Sequence, residues 1–123
     1  MIFDFDRFTI SIKLAYRRCE ECLYTLEDVL HVFKYYFETY EYILGKEHPA
    51  IRLNQIAGII DKMPYLSRET VGNGGTPDIL PEDYERMIDQ HFNTKYNNGK
   101  CDYNINHFFS GQIRELRYHE TLY

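Results

Sequence analysis

Apolar residues along this chain recur mostly at three- and four-residue steps, the period of a helix seated on a core. The clearest run is Leu26, Leu30, Phe33, Phe37, Tyr40 and Leu44. Val29, Val32, Tyr36 and Ile43 form a second stripe beside it, which makes one half of this helix apolar. Thr25-Leu-Glu-Asp28 supplies an acidic capping box at its start, and Gly45 offers a left-handed stop at its end. That leaves His31, Lys34, Tyr35, Glu38, Glu41 and Tyr42 on the outer face.

The first segment reads two ways. Phe8, Ile10, Ile12 and Leu14 alternate as a strand over 8–14 would, while Phe8, Ile12, Ala15, Cys19 and Cys22 trace a helical stripe. Asp6 is a suitable N-cap and the stripe continues through Leu23, so a helix from about 7 to 23 is preferred. Pro49 suits the first turn of a third helix, with Leu53, Ile56, Ile60 and Met63 inward and Pro64 ending it. A fourth starts near Pro81, with Tyr84, Met87, Ile88 and His91 on one side. Asn104 caps a last one, in which Ile105, Phe109, Ile113 and Leu116 point inward. The pattern predicts an all-α fold, a compact bundle of four to five helices forming one domain over 1–123. A long Gly-rich loop or small β-hairpin is expected at about 64–80, because Val71 and Ile79 flank the turn-forming Asn73-Gly74.

Composition adds a class. With 44% hydrophobic and 27% charged residues the chain is ordinary globular material. It carries 12 Tyr and 8 Phe but no Trp. A domain of this size is not expected to hide so many aromatic rings, and exposed tyrosines are enriched at recognition surfaces. Tyr65, Tyr96, Tyr103, Tyr118 and Tyr123 fall in expected loops or near the end of the chain. The net charge of −5 argues against direct nucleic-acid or anionic-membrane binding, which needs an excess of Lys and Arg. The acidity is concentrated in Glu27, Asp28, Glu38 and Glu41, and again in Asp78, Glu82, Asp83, Glu85 and Asp89. No long apolar run and no signal-like segment is present, and 3 Cys cannot form a closed disulfide set, so the expected compartment is cytoplasmic.

Catalytic motifs are weak. Cys19-Glu-Glu-Cys22 has zinc-ligand spacing, with Cys101 and His107 to complete a set, but the pair falls in a predicted helix rather than a tight turn. Packing is the simpler role for these thiols, and no cofactor or metal is expected. The Gly-rich stretch lacks the Gly-x4-Gly-Lys pattern of a phosphate loop. The carboxylates of 82–85 suit the first turn of a helix, where the helix dipole favours negative charge. Arg52, Asn54, Gln55 and Lys62, or Arg114, Arg117, Tyr118 and His119, are thin sets for a DNA-reading helix.

Arg86-Met-Ile-Asp-Gln-His91 and Arg114-Glu-Leu-Arg-Tyr-His119 both have Arg-x4-His spacing, which resembles the motif of HEPN-family ribonucleases. The resemblance implies an all-helical fold and an Arg and a His that meet across a dimer to cleave RNA. It covers six residues at each place; directly after the Arg, where that family prefers a polar residue, the first match has Met87 and the second has Glu115, which would repel phosphate.

The sequence therefore points to a non-catalytic protein-binding or regulatory module. Its expected partner-binding residues are Tyr35, Glu38, Glu41, Tyr42, Asp78, Glu82, Asp83, Glu85 and Asp89. The expected partner is another protein with a basic surface, or a second copy in a homodimer. One concrete form is a phage or mobile-element inhibitor that occupies the basic groove of a nucleic-acid-handling host protein. The alternatives are a sequence-specific DNA-binding regulator and the HEPN-like ribonuclease.

Overall fold

A computed structural model describes residues 5–19, 22–65, 77–96, 102–110 and 112–122. Among the described residues there are helices and no strands: α1 (Phe5–Arg18), α2 (Leu26–Leu44), α3 (Leu53–Lys62), α4 (Asp83–Asn93), α5 (Ile105–Phe108) and α6 (Ile113–Thr121). The fold is mainly α, as the periodicity predicts. The expected loop or hairpin at 64–80 falls largely outside the described residues.

The long helix α2 is the spine. Its capping box is complete: Thr25 Oγ1 accepts the Asp28 N–H and Asp28 Oδ2 accepts the Thr25 N–H, both at 3.2 Å. At the other end Gly45 adopts φ 69° and donates its N–H to the Glu41 carbonyl at 2.9 Å. Val29, Val32, Phe33, Tyr36, Phe37 and Tyr40 are buried between these caps. α1 packs mainly on α3 and also on α2, while α4 is held between α2 and α6. Rings meet across these seams, Phe8 edge to face with Phe37 at 4.9 Å and Tyr36 tilted against Phe92 at 5.1 Å, centroid to centroid. Each such side chain contributes about 1.5–3 kcal/mol by leaving water.

The tyrosines are mostly inside, contrary to the expectation from composition. Tyr24, Tyr36, Tyr40 and Tyr84 are buried, and Tyr16, Tyr35, Tyr65, Tyr96, Tyr103 and Tyr118 are half-buried. Their hydroxyls explain how. Tyr16 donates to the Tyr24 carbonyl, Tyr24 to Ile79, Tyr36 to Tyr103, Tyr84 to Met63, Tyr103 to Thr94 and Tyr118 to Asp78. Every one of these carbonyls lies outside a helix, where the backbone lacks a helical partner. The rings fill the core while the hydroxyls staple the connecting segments to it.

Three boundaries differ from the periodic pattern. α1 ends at Arg18 rather than near 23, because Cys19 donates back to the Tyr16 carbonyl in a tight turn and Tyr16 then anchors Tyr24. α3 begins at Leu53, not at Pro49. The imidazole of His48 donates through Nδ1 to the Pro49 carbonyl at 2.8 Å, and Gln55 Oε1 caps the Arg52 N–H at 2.9 Å. The last expected helix is two, α5 and α6, with a break after Phe108. The break changes the helical phase: Leu116 turns outward at 48% exposure, and Arg117 takes the inner position. Ile43 also faces solvent rather than the core.

Candidate functional site

The two acidic segments meet. Helices α2 and α4 lie side by side and run in the same direction, as two equally offset bonds show. His31 Nε2 lies 3.0 Å from Glu85 Oε1, and the Tyr35 hydroxyl donates to Asp89 Oδ1 at 2.7 Å. On α2 the stripe His31, Tyr35, Glu38 and Tyr42 repeats at helical spacing; opposite it stand Glu85 and Asp89 of α4 and Glu82 at its N-cap. Burial, with Asp89 and Glu85 beside it, pushes the Tyr35 hydroxyl up to about 12, so it remains a donor to Asp89 across the neutral range.

Within that face the expected residues divide into free and committed groups. Glu38 and Glu82 are exposed, and Glu38 lies 3.9 Å from Lys34, a loose solvent-screened pair. Tyr42 is 90% exposed, the most solvent-facing of the large hydrophobic side chains among the described residues. Glu85 and Asp89 are half-committed to their α2 partners, and Glu41 sits half-buried at the rim. Asp83 serves structure instead: its carboxylate accepts the Leu80 N–H and an Arg86 N–H at the start of α4. Asp78 lies half-buried, its carbonyl holding the Tyr118 hydroxyl at 2.9 Å. The pairing of His31 with Glu85 was not legible in the sequence, since nothing local links positions so far apart.

The other candidate sites lose their geometry. Positions five apart on a helix point about 140° away from each other. Accordingly Arg86 is half-exposed against Asp83, while His91 is fully buried behind it. Arg114 lies over the rings of Tyr65 and Phe109, at 5.6 and 5.8 Å from their centroids, and His119 is exposed. Neither Arg-x4-His match presents its pair together on an open surface. For DNA reading, Gln55 is spent on the Arg52 cap and Arg117 is buried, bonded to Thr94 and Glu120. Cys19 and Cys22 are half-buried free thiols. Burial, then Asp61, pushes the Cys19 thiol up to about 12, leaving it protonated and unreactive. Cys101 lies outside the described residues. Among the described residues no group of three or more His, Cys, Asp or Glu could hold a metal, and no helix is long and apolar enough to cross a membrane.

One cluster escaped the sequence pattern. His91 of α4, Tyr96, Tyr103 and His107 of α5 stack around one another, with Arg117 of α6 above the Tyr96 ring. Desolvation, followed by the neighbouring His107 and Arg117, pulls the His91 imidazole down to about 3. It is therefore neutral in the fold. His91 Nδ1 meets the Tyr96 hydroxyl, and Nε2 has no hydrogen-bond partner among the described residues. Such an interior serves packing, since the imidazole is fully buried.

Comparison with known proteins adds no family: no family model, no curated protein and no solved structure matches the chain.

Proposed function

We propose that this protein is a non-catalytic binding module whose α2–α4 face docks a basic surface of another protein. The observation that carries the reading is the convergence of both acidic segments on adjacent parallel helices, with Tyr42 standing 90% exposed beside Glu38. Carboxylates around an exposed ring match the make-up of an interface that recognises Arg and Lys at its rim and covers an apolar centre. The His31–Glu85 and Tyr35–Asp89 bonds hold the two helices in register, so the face is pre-organised and loses little entropy on binding. One form this function takes is inhibition of a nucleic-acid-handling protein, the acidic face filling a groove that otherwise receives phosphates.

The test is capture of stoichiometric partners from source-cell lysate after nuclease treatment, comparing wild type with Glu38→Lys/Glu82→Lys. Both positions are exposed, so the double variant keeps its fold. The expected result is a protein partner that survives nuclease and is lost by the variant. A partner held equally by both proteins, or only nucleic acid, would sink the reading.

A further inference from the structure

The helix α1 carries a second, oppositely charged surface. Its inner side is spent on the core through Phe8, Ile12 and Ala15. Its outer side exposes Ile10 at 62% and Leu14 at 47%, with Lys13, Arg17 and Arg18 around them and Asp6 one turn before Ile10. Neither Lys13, Arg17 nor Arg18 has an ion-pair partner among the described residues. Beside the start of this face lies an open cleft of about 400 Å³, bordered by the apolar Phe8, Ala50 and Ile51 and by the polar Arg7, Ser11 and Glu47. An apolar centre within a cationic rim, next to a cleft sized for a side chain, has the anatomy of a protein-docking surface. A lipid surface would need a broader apolar face than two residues, and phosphates gain nothing from desolvating Ile10 and Leu14.

We infer that the α1 face docks the α2–α4 acidic face of a second copy of this chain, with Tyr42 of that copy seated in the cleft. Three features on the two surfaces match. Lys13, Arg17 and Arg18 oppose Glu38, Glu82 and Glu85 in sign. Tyr42 is an exposed ring, and the cleft is partly apolar, with both Arg7 and Glu47 lining it. The lengths also agree: Arg7 to Arg18 and His31 to Tyr42 each span about 16 Å of helix. The contact joins two different surfaces, so it closes as a dimer when reciprocated and extends when it is not. The inference shares the acidic face with the function proposed above and assigns it a competing occupant, which makes self-assembly a store of unengaged protein.

The test is molar mass by light scattering and sedimentation over a range of concentration, at low and high ionic strength. Wild type is expected above the 14.8 kDa monomer at low salt and to dissociate as salt screens the charges. Lys13→Glu/Arg17→Glu and Glu38→Arg/Glu82→Arg are each expected to weaken association at least tenfold, and an equimolar mixture of the two to restore it. Arg17 also favours the C-terminal end of α1, so Ile10→Ser/Leu14→Ser provides a variant without charge change and should dissociate likewise. A wild type that stays monomeric, single variants that assemble normally, or a mixture that fails to assemble overturns the inference. So does a monomer whose α1 charges instead retain anionic vesicles or duplex DNA. The two proposals separate cleanly: restored assembly with undiminished partner capture by Glu38→Arg/Glu82→Arg removes only the heterologous reading. A monomeric wild type with partner capture lost in that variant removes only the self-contact.

Discussion

Replacing His91 by Phe should flatten the acid sensitivity of this fold. His91 is fully buried, packed against Tyr36, Phe92, Tyr103 and Phe108, and its folded pKa is down at about 3 against 6.5 for a free imidazole. The unfolded chain therefore binds a proton that the folded one refuses. Stability from this group is fully present above pH 6.5 and drains as pH falls toward 3. Integrating that difference between pH 7 and pH 5 gives a loss of about 2 kcal/mol from His91 alone, a large part of a small domain's margin. His48 acts in the same direction, because burial lowers its pKa as well, and it titrates equally in wild type and variant. The assay is urea denaturation at the two pH values for both proteins. The quantity compared is each protein's change between them, so a baseline loss from the substitution cancels. The expected outcome is that wild type loses about 2 kcal/mol more than His91→Phe on acidification. Equal losses would refute the burial and neutrality assigned to this ring.

Three further expectations follow from packing and caps. Tyr84→Phe leaves the buried Met63 carbonyl without its donor and should cost about 1–3 kcal/mol in denaturant unfolding. Gly45→Ala meets no atom within 4 Å, yet φ 69° strains any L side chain, so a loss of about 1 kcal/mol is expected; a gain would mean α2 does not end in that conformation. Phe108→Ala should cost about 3–5 kcal/mol while Leu116→Ser changes stability by less than about 1 kcal/mol; comparable losses would contradict the broken last helix.

The exposed acidic and basic faces account for different parts of one picture. An acidic α2–α4 surface and a basic α1 surface on one small domain give it complementary ends. The two proposals share the acidic face, so they predict competition between a second copy and a partner, with ionic strength acting on both.

The main helices were written locally. The four-three stepping of Leu26 through Leu44, the Thr25–Asp28 box and Gly45 define α2 without reference to anything distant, because capping and amphipathic spacing are properties of neighbouring residues. Asn104 as a cap and the acidic first turn of α4 were legible for the same reason. The candidate face was legible only in parts: its carboxylates stand out as two charge runs, but their meeting depends on how α2 and α4 pack. Long-range partners decided the rest. Tyrosine hydroxyls reach carbonyls far along the chain, from Tyr24 to Ile79 and from Tyr36 to Tyr103, and this turned a composition that suggested an aromatic surface into an aromatic interior. The split of the last helix, the inward turn of Arg117 and the deep burial of His91 likewise arise from contacts between elements. Periodicity records which face of a helix is apolar; what covers that face, and which polar group is carried inside with it, is set where the helices meet.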